Sequence, residues 1–236
     1  MFRSVLRSKF AAAPAVIFSL SSAGFAMADV KPTPSKEFFD SKGLPAALVW
    51  ESMTPTNLSL VGVGMRRKNL YVTMVDVYQV GAYLSPSMIV KANEWKVQGK
   101  PIPFSDVIVP KEQVSGTKSA TPKASITLKF VRDVGNQTIC DAFKDAFAGC
   151  TPDAVKRFQD ALNATIGASD IKKGEEIYFI WMETDEIVMA KNGVVVKSIS
   201  DTELANRLVD VYFDPKRSVS PDLIVSFDTN IELVKA

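Results

Sequence analysis

The chain has no histidine among its 236 residues, and that absence bounds its chemistry first. Ser-His-Asp and Cys-His nucleophilic systems are excluded, as are zinc sites of the usual His-containing kinds. Two cysteines cannot make a four-cysteine site, so no metal is expected, and no cofactor either. Any chemistry falls to Arg, Lys, Tyr, Thr or carboxylates. The run that concentrates such groups is Gly62-Val63-Gly64-Met65-Arg66-Arg67-Lys68, with Tyr78 twelve residues after Arg66. Gly-x-Gly here lacks the third glycine and the following helix of a phosphate cradle, so it does not read as a nucleotide site. A guanidinium is always charged and presents planar, paired donors, which suit an enolate oxygen or a carboxylate equally well. Strict strand alternation puts Arg66 and Arg67 on opposite faces, one of them in solvent. Asp185-Glu186 falls at a turn and reads as a solvated pair.

These residues need a frame, and the composition supplies one. With 47% hydrophobic and 23% charged residues, the chain suits one sizeable domain with material for a core and a ligand cavity. A net charge of +2 without a basic tract gives no reason to expect nucleic acid. Residues 1–28 carry Arg3, Arg7 and Lys9, an apolar stretch from Phe10 to Phe25, and Ala26-Met27-Ala28 as a small-x-small cleavage site. This describes a signal peptide and export to a periplasm or the exterior, with a plastid or mitochondrial transit peptide as the alternative. Pro14 and the serines at 19, 21 and 22 argue against a membrane span. Residues 29–46 read as a lead-in with little regular structure, and 47–236 as the domain.

Within the domain, short strand patterns run at Leu48–Trp50, Leu58–Val63, Asn69–Val75 and Val77–Leu84. A proline-rich polar connection, Gln98–Ser125, precedes a strand at Ile126–Val131. Two amphipathic helices follow. Asn136–Ala148 ends at Gly149, and the next opens at Thr151-Pro152-Asp153 and ends near Gly167. Strands resume at Glu176–Met182 and Glu186–Lys191, and Asn192-Gly193 marks a tight hairpin into Val194–Ile199. Ser200 with Glu203 reads as a capping box opening a helix through Tyr212, and Ser220-Pro221-Asp222 starts a last one. Strands, a helical pair, a meander and further helices make an α+β fold, an antiparallel sheet with helices packed on one face. Cys140 and Cys150 open and follow one helix, roughly 15 Å apart along its axis. That exceeds the about 7 Å a disulfide spans, so both read as packing residues.

The order of these motifs resembles the chalcone isomerase family. Gly62-x-Gly64-x-Arg66 is similar to its opening strand, and Val77-Tyr78-x-x-Gly81-x-Tyr83-Leu84 to the next. Leu128–Val134, Lys172–Glu175, Lys191-Asn192-Gly193, Tyr212–Pro215 and Ser218–Pro221 continue the match, over about residues 46–228. The resemblance implies an open-faced β-sandwich with helices over an apolar cleft. It also implies one of three functions: isomerase, fatty-acid binder or non-catalytic helper. Arg66 occupies the place of the family's enolate-stabilising arginine. The enzymes' threonine twelve positions on is here Tyr78, Val131–Thr138 contains no tyrosine, and a later polar position falls near Val196. Arg66 with Tyr78 instead resembles the fatty-acid-binding members, where the two hold a carboxylate at the end of a greasy cavity. Non-catalytic binding of a fatty acid or similar amphipathic carboxylate is therefore the expectation. The alternative is an intramolecular lyase of the chalcone isomerase type acting on chalcone-like enones, with Arg66 as its catalytic residue.

Overall fold

The computed structural model describes residues 30–33, 42–50, 53, 56–70, 72–100, 102–109, 121–184 and 186–234. The address segment 1–28 lies outside them, as does Asp185. Among the described residues, eight antiparallel strands form one sheet in sequence order. They are β1 (Val30–Thr33), β2 (Ala47–Trp50), β3 (Leu58–Leu70), β4 (Thr73–Leu84), β5 (Pro122–Phe130), β6 (Glu176–Met182), β7 (Glu186–Lys191) and β8 (Val194–Ser200). Six helices among the described residues accompany them: α1 (Pro86–Val97), α2 (Phe104–Ile108), α3 (Asn136–Ala146), α4 (Pro152–Ile166), α5 (Thr202–Phe213) and α6 (Pro221–Asn230). This is the α+β, open-faced arrangement that the resemblance implies. No described helix is long and apolar enough to cross a membrane.

Period-two alternation sorts the central strands into two layers. Val80, Ala82 and Leu84 of β4, Ile126 and Leu128 of β5, and Phe179 and Trp181 of β6 join the core beneath the helices. Tyr83, Tyr178, Ile180 and Met182 face the other way. There Trp50 packs edge-on against Tyr178, ring centroids 5.2 Å apart. In a flat sheet, β2 and β6 would lie roughly 19 Å apart. β2 pairs with β3 at only two positions and then crosses this outer face. The lead-in is correspondingly more structured than expected. β1 forms within it, Leu44 is buried, and the Pro45 carbonyl accepts a hydrogen bond from Tyr83 at 2.9 Å.

Several local readings change. Asn69–Val75 is not a separate strand: Asn69 and Leu70 end β3, and Thr73–Val75 begin β4. α1 has the start signal Ser85-Pro86, yet Val90 and Val97 are exposed and blur its apolar stripe. α2 falls in the expected loop, where Phe104 stacks on Phe213 at 4.1 Å; residues 110–120 of that loop lie outside the described residues. The cap of α5 is Asp201, whose carboxylate accepts from the Leu204 N–H. Glu203 instead accepts from the Thr151 backbone and hydroxyl, tying α5 to the start of α4. Both cysteines are free, and the Cys140 thiol donates to the side-chain oxygens of Asn136 and Asn163.

The glycines of the Gly-x-Gly run are contact points for α6. A Cβ at Gly64 would sit 2.3 Å from Ser220 Oγ and 2.7 Å from the Leu223 nitrogen, and one at Gly62 about 3.0 Å from Phe227 Cβ. The bare backbone lets α6 lie directly on β3. Ser220 Oγ donates to the Met65 carbonyl, and the Val63 N–H donates to Ser226 Oγ. Gly64→Ala must push the start of α6 outward, and overpacking of this kind costs about 1–3 kcal/mol. A thermal melt followed by circular dichroism should fall by about 2–4 °C per kcal/mol; an unchanged melt would contradict this packing.

Candidate functional site

Arg66 and Tyr78 are cross-strand partners in the β3–β4 register. A register shift follows immediately, between Arg66 and Arg67. The extra residue is Val77 of β4, so β3 itself runs on from Arg66 to Arg67 without interruption. Both guanidiniums end on the segment around α6. Arg66 Nη1 donates to the Val219 carbonyl at 3.4 Å, and Arg67 bonds Asp76 at 3.1 Å and Asp222 at 3.2 Å. Arg67 is thus the braced, solvated member of the pair. Arg66 is half-buried, and among the described residues it forms no ion pair with a carboxylate.

Arg66 lines a cleft of about 590 Å³ between α3, α5 and the end of β3. Lys68, Arg207 and Arg217 contribute the other cations, and Asp141, Asp145 and Asp210 the carboxylates. Thr138, Ala142, Ala146, Val211 and Val219 complete the lining. Several of these charges are already engaged. Arg207 donates to the Ala146 and Ala148 carbonyls at the end of α3, Arg217 pairs with Asp214, and Asp141 accepts from Gln137. The cleft is therefore more polar than the greasy one expected. The phenylalanines of α3 and α4 explain why. Phe143, Phe147 and Phe158 pack on one another and on Phe179, with centroids 4.3–6.4 Å apart. They fill the layer beneath the helices and leave charged helix edges at the opening.

Tyr78 lies below this opening, buried against Phe130 at a ring-centroid distance of 5.4 Å. Burial raises its phenol pKa, and the Arg66 charge and the Tyr212 hydroxyl partly offset that rise. Tyr212, at the end of α5, is wholly buried. Its phenol is pushed well up by burial, then by Tyr78, with Arg66 opposing. The two hydroxyls influence each other without meeting hydrogen-bond geometry, and Tyr212 Oη has no partner. Tyr212 is legible in the sequence as the end of a helix, and it falls four residues after Leu208, on the buried stripe. A tyrosine on such a stripe is itself a signal, because its hydroxyl needs a partner. Tyr83 points to the outer face, and Val196 is exposed on the edge strand β8, so neither joins the site. Among the described residues no cluster of three or more acidic or cysteine side chains could hold a metal.

The comparisons with known proteins agree with this fold. A family described as chalcone isomerase-like matches residues 109–219, from the end of α2 through α5 to Val219. Arg66 and Tyr78 lie outside that stretch. No curated protein sequence matches. Among solved structures, the fatty-acid binding protein AtFAP1 of Arabidopsis thaliana superposes with a TM-score of 0.55. The match covers 75% of this chain and 89% of that one at 18% identity. The protein thus resembles the chalcone isomerase-like family in sequence over residues 109–219, and shares the fold of AtFAP1 over 75% of its length.

The four described tyrosines, Tyr78, Tyr83, Tyr178 and Tyr212, all have phenol pKa values raised by burial. Each is protonated in the folded state where the unfolded chain would ionise. Above a pH of about 10 the unfolded state therefore binds fewer protons, and stability falls by about 1.4 kcal/mol per pH unit for each such group. In an alkaline titration, most tyrosinate absorbance should appear together with loss of the circular dichroism signal. Ionisation of all the tyrosines near pH 10 in a still-folded protein would contradict their burial.

Proposed function

We propose that the protein binds, without catalysis, a fatty acid or similar amphipathic carboxylate, with the head group at Arg66 and Tyr78. The observation that carries this reading is the state of Arg66. Its guanidinium faces a cleft, makes one long bond to a carbonyl, and has no carboxylate to neutralise it among the described residues. A ligand carboxylate supplies the missing counter-charge, and the fork geometry of arginine accepts it through paired bonds. Beside it lie two buried phenols, one of them with an unpartnered hydroxyl. A carboxylate leaving water needs such donors, because an unpaired charge in an apolar setting costs several kcal/mol.

The cleft volume lies within the range of about 300–1,000 Å³ usual for small-molecule sites. The acyl chain would run inward past Ala142, Ala146 and Val211, toward the apolar layer under α3 and α5. Each buried methylene would add about 0.8 kcal/mol. The phenylalanine cluster must shift to admit it, so chain length should be limited by how far those rings can move. The fold shared with a fatty-acid binding protein supports this reading, as do the three departures from the isomerase's polar set. Export to a periplasm or the exterior belongs to the same proposal, on the strength of residues 1–28.

Mass spectrometry of lipids extracted from the purified protein tests the reading. A near-stoichiometric fatty acid is expected from the parent chain. Arg66→Ala should weaken binding roughly 10- to 100-fold, taking about 1.5–3 kcal/mol for a hydrogen bond to a charged group. Tyr212→Phe should weaken it less, while raising ligand-free stability by about 1 kcal/mol, because it removes an unsatisfied buried hydroxyl. A protein that carries no lipid, takes up no added fatty acid and forms flavanone from a chalcone would replace this reading with the isomerase.

A further inference from the structure

The β3–β4 hairpin runs beyond the sheet. β5 pairs with β4 only as far as Tyr78, and β2 touches β3 only at Leu58 and Ser59. From the Arg67–Asp76 pair outward, the two strands pair only with each other. Four residue pairs carry this ribbon roughly 13 Å past the site, at about 3.4 Å per residue. Its tip is apolar and in solvent: Leu70 is 41%, Met74 59% and Val72 96% exposed. Tight turns ordinarily favour glycine, asparagine or aspartate, which adopt the required backbone conformations, whereas this one presents large apolar side chains. Arg67 is held at the base by Asp76 and Asp222, which stiffens the ribbon where it leaves the domain. Lys68, one step further out, makes no ion pair among the described residues, and it also forms a wall of the Arg66 cleft.

We propose that this tip docks on a lipid bilayer carrying anionic head groups. Leu70, Val72 and Met74 enter the interfacial layer, and Lys68 meets the phosphates. Size favours a bilayer over a protein partner. A stable protein interface takes about 800 Å² from each side, more than three side chains at the end of a two-stranded ribbon can offer. A membrane surface has no such threshold, because binding there grows with each apolar side chain inserted and with each nearby cation. Docking in this pose brings the Lys68 wall of the cleft to the lipid surface. Delivery or collection of a fatty acid there would rest on the function proposed above; the docking itself does not.

Vesicle flotation tests the proposal, using phosphatidylcholine vesicles with and without phosphatidylglycerol and no free fatty acid. The protein should float with the anionic vesicles, less so with phosphatidylcholine alone, and less at high salt, because the attraction of Lys68 is screened. Val72→Asp combined with Met74→Asp should reduce the floated fraction about tenfold or more, since it removes inserted area and adds repulsion. Val97→Asp changes an equally exposed valine on α1 and should float like the parent chain. Arg66→Ala should also float, which separates docking from ligand binding. Failure of the parent chain to float would overturn the proposal, as would a tip variant that floats normally or a Val97 variant that fails equally. A parent dimer that the tip variant converts to monomer, without vesicle binding, would assign the tip to a second copy of the chain and overturn it too.

Discussion

The direct seating of α6 on the bare backbone of β3 is the contact on which the site depends. Side chains at Gly62 and Gly64 would hold the helix away, and with it the connection from α5 that ends at Val219. That connection is fixed at several points. The Val219 N–H donates to the Val211 carbonyl, Ser218 Oγ donates to the Tyr212 carbonyl, and Ser220 Oγ reaches Met65. The result is a carbonyl held over Arg66 and a phenol held beside Tyr78. Backbone proximity, not a charge pair, sets the direction of the guanidinium.

Because its orientation does not depend on a carboxylate, Arg66 remains electrostatically available. Arg67 shows the contrast: one residue away, it is consumed by Asp76 and Asp222. Exposed pairs of that kind contribute little to stability, about 0.2–1 kcal/mol. Their effect is geometric, bracing the hairpin against α6. Arg207 plays a similar part across the cleft, where its bonds to the last carbonyls of α3 keep α3 and α5 at a fixed spacing. The opening is thus framed by charges of both signs, among which Arg66 and Lys68 form no ion pair with the described residues.

Much of the frame was legible in the sequence because it follows short-range rules. β6 and β7 fall where alternation and turn residues put them. The Asn192-Gly193 turn has the positive φ values, 50° and 84°, that such a pair adopts readily. The helices α3, α4 and α5 carry clear apolar stripes. What stayed hidden depends on distant partners. The role of Gly62 and Gly64 needs α6, more than 150 residues away. That Arg66 and Arg67 both reach the segment around α6 depends on that distant segment, through the Val219 carbonyl and the Asp222 carboxylate. The polar character of the cleft arises because the phenylalanines of α3 and α4 satisfy one another. Arg66 and Tyr78 stand out through a family resemblance, whereas Tyr212 is legible only as the end of a helix.

The central claim is that Arg66 receives a ligand carboxylate in its ionised form. A long-chain fatty acid isotopically labelled at its carboxyl carbon, added to the protein and followed by carbon NMR across pH, tests this most directly. The account predicts a bound resonance whose titration midpoint lies well below that of the free acid, because an adjacent guanidinium favours the charged form. Arg66→Ala should abolish that resonance or return its midpoint toward the ordinary carboxylate range. A bound carboxyl that titrates identically in both proteins would show that the head group lies elsewhere, and would contradict the account.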